Sequence, residues 1–346
     1  MVLLYVWPGD VRNSTNYILY SIFNGILFID LIFKIPQSIL FLTGFLFPKG
    51  FKRQTISWIG IIISGFVSSV LLYGILFGKN EVAVQEIELE FKNLPESFDG
   101  YKVVQISDIH LGSFTSQQVL RKTQKQIQTL QPDLLLFTGD LVNNFSQELK
   151  GWDSVFHGIN GNTNSFSILG NHDYGDYSNW ENDTDRANNF QSITEAHKKF
   201  GFQLLRNQNI TLLAGSDSIY LIGVENWGHP PFPQYANLKQ AFSGIPDNSF
   251  KILMTHDPAH WESQIKDKEN IELSLSGHTH ALQWGVKTAG IPFSLSYFIR
   301  KNWGGLYKSN NSYLYVNTGL GTVGIPYRID IPAEITLITL KRIKVD

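Results

Sequence analysis

Three carboxylates, one carboxamide and five imidazoles sit in short segments, each ending or following an apolar run. The segments are Asp108-Ile109-His110, Gly139-Asp140, Gly170-Asn171-His172-Asp173, the single His256, and Gly277-His278-Thr279-His280. Five of the nine histidines in the chain fall inside them. Oxygen and imidazole nitrogen donors in this mixture suit divalent cations. A two-metal centre that hydrolyses a phosphate ester needs such donors, a carboxylate to bridge cations about 3.5–4 Å apart, and an open position for water.

The runs ahead of these segments read as strands. Lys102 to Ser107 leads into Asp108, Asp133 to Thr138 into Gly139-Asp140, and Ser165 to Leu169 into Gly170-Asn171. Phe250 to Thr255 delivers His256, and Ile271 to Ser276 delivers Gly277-His278. Nearly continuous apolar strands are expected where both faces of a sheet are covered, so the pattern predicts a layered α/β sandwich with mixed sheets. Strand ends are where such sheets place their sites. The glycines before Asp140, Asn171 and His278 allow a sharp turn and a close approach to bound ions. Between the first two strands, Thr115 is the expected cap of a helix through Val119, Ile127 and Leu130.

The ordered series Asp-x-His, Gly-Asp, Gly-Asn-His-Asp, lone His and Gly-His-x-His resembles the calcineurin-like metallophosphoesterase superfamily, over about Tyr101 to Leu340. The resemblance implies a four-layer αββα sandwich with mixed sheets. It implies that Asp108, His110, Asp140 and His280 hold one metal and that Asp140, Asn171, His256 and His278 hold the other, with Asp140 as the bridge. His172 is then the non-ligand that protonates the leaving oxygen or steadies the transition state, and Asp173 its orienting partner. Two divalent ions are implied, with manganese, iron and zinc all compatible with the mixed N/O donors. Flanking segments, among them Trp303 to Tyr307 and Val316 to Gly321, resemble the bacterial membrane-linked branch typified by cell-envelope phosphodiesterases. Ala281-Leu282 departs from that branch, where a glycine is expected. Arg328 is a candidate phosphate contact. Trp284, Phe293, Tyr297, Phe298 and Trp303 are candidates for a substrate groove or a bilayer contact, with most of the rings expected in the core. Tyr174 to Lys199 is a candidate lid.

Composition bounds the rest. The 346 residues carry a formal charge of −2, with 17% charged and 13% aromatic residues and no cysteine. Near-neutral charge gives no footprint for nucleic acid, and the lack of cysteine excludes disulfides and thiolate metal sites. Residues 1–80 read as a membrane anchor, 81–100 as linker and first strand, and 101–346 as the catalytic domain. Ile56 to Phe77 is long and apolar enough to span a bilayer, Tyr17 to Phe33 is a second span, and Ile35 to Phe47 is a short span or interfacial piece. No cleaved signal peptide is expected, and the apolar run Met1 to Pro8 suggests a natural start further upstream. Lys49, Lys52 and Arg53 between the apolar segments, against Glu81, Glu86, Glu88 and Glu90 after them, predict a cytoplasmic loop and an extracytoplasmic catalytic domain at a bacterial inner membrane.

These readings predict a membrane-anchored, metal-dependent phosphoric ester hydrolase, with a phosphodiesterase favoured. Its expected partners are the bilayer and a phosphate ester: an envelope lipid, a nucleotide-sugar lipid or a wall phosphodiester. A phosphomonoesterase, a metal-binding scaffold and a membrane sensor are the alternatives. The intact ligand set disfavours the scaffold, and the scarcity of ionisable residues in the spans disfavours the sensor.

Overall fold

A computed structural model describes residues 14–47, 51–160, 163–230, 232–288 and 291–344. Met1 to Pro8, Lys49 and the side chain of Lys52 lie outside the described residues. Helix α1 (Ser14–Thr43) and helix α2 (Phe51–Leu76) form an antiparallel pair. The two apolar stretches predicted at 17–33 and 35–47 are one continuous helix through Pro36, followed by a single turn at Gly44–Leu46. Both helices are long and apolar enough to cross a membrane.

Strands β1 (Val82–Phe91), β2 (Lys102–Ile106), β3 (Leu134–Phe137), β4 (Asn164–Ser167) and β5 (Gln203–Leu204) are followed by a hairpin of β6 (Gln208–Ala214) and β7 (Asp217–Gly223). Then come β8 (Lys251–Met254), β9 (Leu273–Ser276), a small ribbon of β10 (Val286–Thr288) and β11 (Ile291–Phe293), β12 (Gly305–Ser309), β13 (Ser312–Val316) and β14 (Ala333–Arg342). They assemble into two six-stranded mixed sheets, ordered β1-β14-β2-β3-β4-β5 and β12-β13-β9-β8-β7-β6. Strands β2 to β5 are mutually parallel, as are β13, β9, β8 and β7.

Alternate residues of each strand face opposite layers, which fixes the packing. Val103, Leu134, Leu136 and Phe166 meet Leu221, Ile252, Met254 and Leu273 between the sheets. Val104, Ile106, Leu135 and Phe137 point the other way, onto α3 (Gln118–Leu130), α4 (Asp153–Asn160) and α5 (Asp183–Lys199). The far face of the second sheet is covered by α6 (Leu238–Ala241) and the turn Trp261–Ile265. The four layers are those the resemblance implied.

Two expectations need correction. Thr115 does not cap α3; Gln117 takes the cap position without a side-chain bond, and the Ser116 hydroxyl accepts from Gln118 N–H. Val82 to Phe91, within the segment expected to hold the linker and first strand, is β1 and pairs in parallel with β14 along its whole length. Tyr174 to Lys199 is only partly a loop. Its second half is α5, which buries Ile193, Ala196 and His197 against the first sheet.

Candidate metal centre

Parallel strands in register bring their carboxyl ends to one edge, and every predicted ligand lies just past such an end. Asp108 and His110 follow β2, Asp140 follows β3, and Asn171 follows β4. From the second sheet, His256 follows β8, and His278 and His280 follow β9. The paired edges close the site from both sides.

The backbone there is tightly bent. Asp108, His110, Asp140, His278 and His280 all adopt positive φ, at 47°, 48°, 61°, 74° and 49°. Such conformations cost roughly 1–3 kcal/mol each for side-chain-bearing residues and persist where surrounding contacts impose them. Gly139 also has positive φ, at 98°, and a Cβ there would lie 2.5 Å from Gly170 N. A Cβ on Gly277 would meet Asp108 Oδ2 at 2.1 Å, so this glycine is required for close approach alone. At the departure Ala281-Leu282, both residues take the left-handed conformation that a glycine would adopt without strain (φ 50° and 52°).

The donor atoms converge as two overlapping groups. His280 Nε2 is 3.3 Å from Asp108 Oδ1 and 3.0 Å from His110 Nε2, which is 3.5 Å from Asp140 Oδ2. His256 Nε2 is 3.2 Å from Asp140 Oδ2 and 3.0 Å from Asn171 Oδ1, and His278 Nδ1 is 2.7 Å from the same Asn171 oxygen. Asp108, His110 and His280 form one candidate ligand group, and Asp108, Asp140 and His256 another. Asp140 touches ligands of both expected metals, as a bridge must.

These residues fit cations. His110 Nδ1 donates to the Val142 carbonyl and His256 Nδ1 to the Thr138 carbonyl, at 3.1 Å and 2.8 Å. In the neutral tautomers both Nε2 lone pairs therefore face the site. Burial disfavours a charge on His256, yet Asp140 and Asp108 outweigh it and push the imidazole up to about 10. Burial likewise works against the charged forms of Asp108 and Asp140, and the surrounding imidazoles hold both carboxyls well below the usual range. Buried carboxylates and inward lone pairs at this density call for positive charge.

His172 stands beside the cluster and belongs to neither candidate ligand group. Its Nδ1 donates to the Asn143 carbonyl at 2.5 Å, and its ring stacks on Tyr177 at 4.5 Å. Asp173 is not its orienting partner. The Asp173 carboxylate accepts the backbone N–H groups of Asp140, Leu141, Val142 and Gly170, tying two ligand loops together. Burial and the neighbouring Asp140 charge push it up to about 7, against those N–H donors. Glu148, absent from the sequence reading, supports Asn143 by accepting the N–H groups of Gly112, Asn143, Asn144 and Phe145.

The expectation that Arg328 contacts phosphate is overturned by its burial. It is 1% exposed, and its guanidinium donates to the carbonyls of Thr318, Gly319, Gly321, Ile331 and Pro332. Burial lowers it to about 10, while Asp108 and Glu334 favour the charge. A different arginine reaches the rim. Arg300 lies 3.7 Å from Asp257, whose carboxylate also approaches His229 at 3.3 Å and His278 at 4.0 Å. Asp257 was legible as the neighbour of His256; nothing in the sequence joins Arg300 to them. Of the aromatic stretch, Trp303 is buried, but Phe293, Tyr297 and Phe298 are exposed rather than core.

A family model for calcineurin-like phosphoesterases matches residues 101–282. The metallophosphoesterase YkuE of Bacillus subtilis is 30% identical over 254 residues, covering 72% of this chain and 82% of the relative. A transmembrane protein with metallophosphoesterase domain from Danio rerio is 29% identical over 297 residues, covering 85% of this chain and 64% of the relative. The chain thus spans less than two thirds of that relative. Among solved structures, the Haemophilus influenzae NAD nucleotidase matches with a TM-score of 0.44 at 15% identity, over 64% of this chain and 46% of that one. With every expected metal ligand inside the matched segment, the chain belongs to the calcineurin-like phosphoesterase family.

Proposed function

We propose that this chain is a membrane-anchored phosphodiesterase that cleaves a phosphodiester of an envelope lipid, nucleotide-sugar lipid or wall polymer. The observation that carries the reading is the convergence of two ligand groups that share Asp108, with Asp140 Oδ2 3.5 Å from His110 Nε2 and 3.2 Å from His256 Nε2, next to an imidazole, His172, that belongs to neither group. Two divalent cations held by Asp108, His110, Asp140 and His280, and by Asp140, Asn171, His256 and His278, would supply neutralising charge and an acidified water. The chain's own residues do the remainder. Asn143 fixes the His172 tautomer so that Nε2 faces outward, and Asp257 flanks His278 from behind. The anchor is supported by α1 and α2, and Tyr17 of α1 donates its hydroxyl to Asn143 Oδ1 at 2.7 Å, which brings the helix beside the site. The basic loop between the helices favours its cytoplasmic placement and a catalytic domain outside the bacterial inner membrane.

The test is a panel on the full chain loaded with manganese, iron or zinc: bis-p-nitrophenyl phosphate, p-nitrophenyl phosphate, a UDP-linked diacyl sugar and a phosphatidyl lipid. Diester turnover is expected, falling to background on chelation and in Asp140→Asn, which should also bind one metal or fewer per chain. Preference for the monoester would make this a phosphomonoesterase, and full activity of Asp140→Asn at two metals would remove the bridge. A topology reporter fused after residue 346 is expected to score extracytoplasmic; a cytoplasmic signal would reverse the orientation.

A further inference from the structure

Among the described residues after residue 80, seven of the eleven exposed large hydrophobic side chains lie between Leu282 and Ile299. Tyr297, Phe298 and Ile299 are 62%, 73% and 71% exposed, and Arg300 and Lys301 follow them directly. A contiguous apolar edge closed by basic residues is costly in water and suits a bilayer interface, where rings and cationic heads both find partners.

The edge continues from the helical hairpin. Tyr327 stacks on Phe28 of α1 at 6.1 Å and donates its hydroxyl to the Leu282 carbonyl at 3.1 Å. Arg328 N–H donates to Gly74 O of α2, and Gly285 N–H to Ile329 O. From Trp284 the rings run through Phe293 to Phe298 at 6.3 Å and 6.0 Å. On α1, Tyr20, Ser21 and Asn24 are buried, and exposed apolar side chains recur from Leu19 and Ile22 through Ile26 to Leu42. Tyr327 therefore lies beside the helix read as a span. Strand topology agrees. β1 pairs in parallel with β14, which is antiparallel to β2, so Val82 enters the sheet at the edge where the metal ligands sit.

We propose that the exposed side chains of Leu282, Val286, Phe293, Leu295, Tyr297, Phe298 and Ile299 form a second membrane contact, an apolar edge that dips into the lipid bilayer beside α1 and α2. It turns the mouth of the metal centre, with Arg300 at its rim, towards the lipid headgroups. The proposal rests on reading α1 and α2 as membrane spans, and it restricts the natural substrate to phosphate esters presented at the bilayer surface.

The chain has no cysteine, so single-cysteine variants of the full chain label at one position. Phe298→Cys, with Tyr297→Cys as a second reporter, would carry an environment-sensitive fluorophore in phosphatidylcholine–phosphatidylglycerol vesicles containing a shallow acyl-chain nitroxide. Leu31→Cys on α1 is the bilayer reference. Ser216→Cys, in the β6–β7 turn at the sheet end opposite the metals, is the aqueous reference. Quenching at 297 and 298 is expected to approach that at 31 and to exceed that at 216 several-fold. Quenching no greater than at 216 overturns the proposal while the spans stand. Shielding of 298 from both the lipid nitroxide and aqueous iodide also overturns it, since a second copy or another protein then covers the edge. If 31 is unquenched, the span reading fails and the proposal falls with it.

Discussion

His110 and His256, two of the candidate metal ligands, are each given one orientation by a neighbour, and the loops around them are tied by others. Val142 and Thr138 carbonyls hold His110 and His256, Asp173 gathers the amides of the Asp140 and Gly170 loops, and the Asn143 carbonyl holds His172. A carbonyl can only accept, so Nδ1 of His172 carries a proton and Nε2 is the position that exchanges one. His172→Ala is therefore expected to keep both metals and lose about 10²–10⁴-fold in rate, the usual worth of a positioned acid. The loss should be large for an alkoxide leaving group and much smaller for nitrophenolate, which needs little protonation. Metal content measured alongside both rates checks it; loss of metal, or an equal loss on both esters, would make His172 a ligand or a positioning residue. The convergence of these side chains was legible because imidazoles and carboxylates recur in fixed spacing after apolar runs. Asn143 was not, because its contribution to His172 comes from a backbone carbonyl that any residue supplies. Asp173 was assigned to the wrong neighbour because adjacency to His172 in sequence says nothing of where a carboxylate finds N–H donors.

At the level of elements, the strands that deliver ligands were legible to within one or two residues, since an apolar run ending in glycine or a polar ligand has few alternatives. The two long apolar helices were legible in position but not in number, because Pro36 stays within a continuous α1 rather than ending it. Least legible was the segment from Thr318 to Pro332, whose shape depends on a buried guanidinium. Arg328 joins five carbonyls across that loop, and Gln283 secures it from outside, accepting from Val323 N–H and donating to Ile325 O. Its sequence context, Gly- and Pro-rich, suggested an exposed phosphate contact instead. The two roles have opposite signatures. Arg328→Met should lower stability by about 3–5 kcal/mol, because it leaves several buried carbonyls unpaired. The folded fraction should retain its KM for a soluble diester. Denaturation midpoints and KM measured together decide between them, and a raised KM at unchanged stability would restore the phosphate contact.

Across the whole molecule, the two sheets share one apolar layer and present their ligand-bearing edges at the end where α2 enters the fold. The layering was legible from apolar strands covered on both faces, but the order within each sheet was not. Pairing of Val82–Phe91 with Ala333–Arg342 joins residues some 250 positions apart, and local pattern carries no record of it. The outer helical layer also contains a titratable group remote from the metals. His197 of α5 is fully buried, stacked on Phe137 at 5.7 Å, with Nδ1 2.8 Å from the Ser167 hydroxyl, and burial lowers it from 6.5 to about 3. A folded pKa below the unfolded one means that the unfolded chain binds the proton first. The neutral imidazole therefore contributes full stability above about pH 6.5, and that contribution is lost progressively as pH falls towards about 3. By about pH 5 the loss should reach roughly 2 kcal/mol, at 1.36 kcal/mol per unit. His197→Gln keeps an acceptor for Ser167 without the titration, so the stability gap between wild type and variant should shrink by that amount between about pH 7.5 and 5. Thermal denaturation of both proteins at the two pH values measures it. A gap that stays constant with pH would show that His197 is protonated in the folded state or reached by water, and that the layer between α5 and the first sheet is not closed.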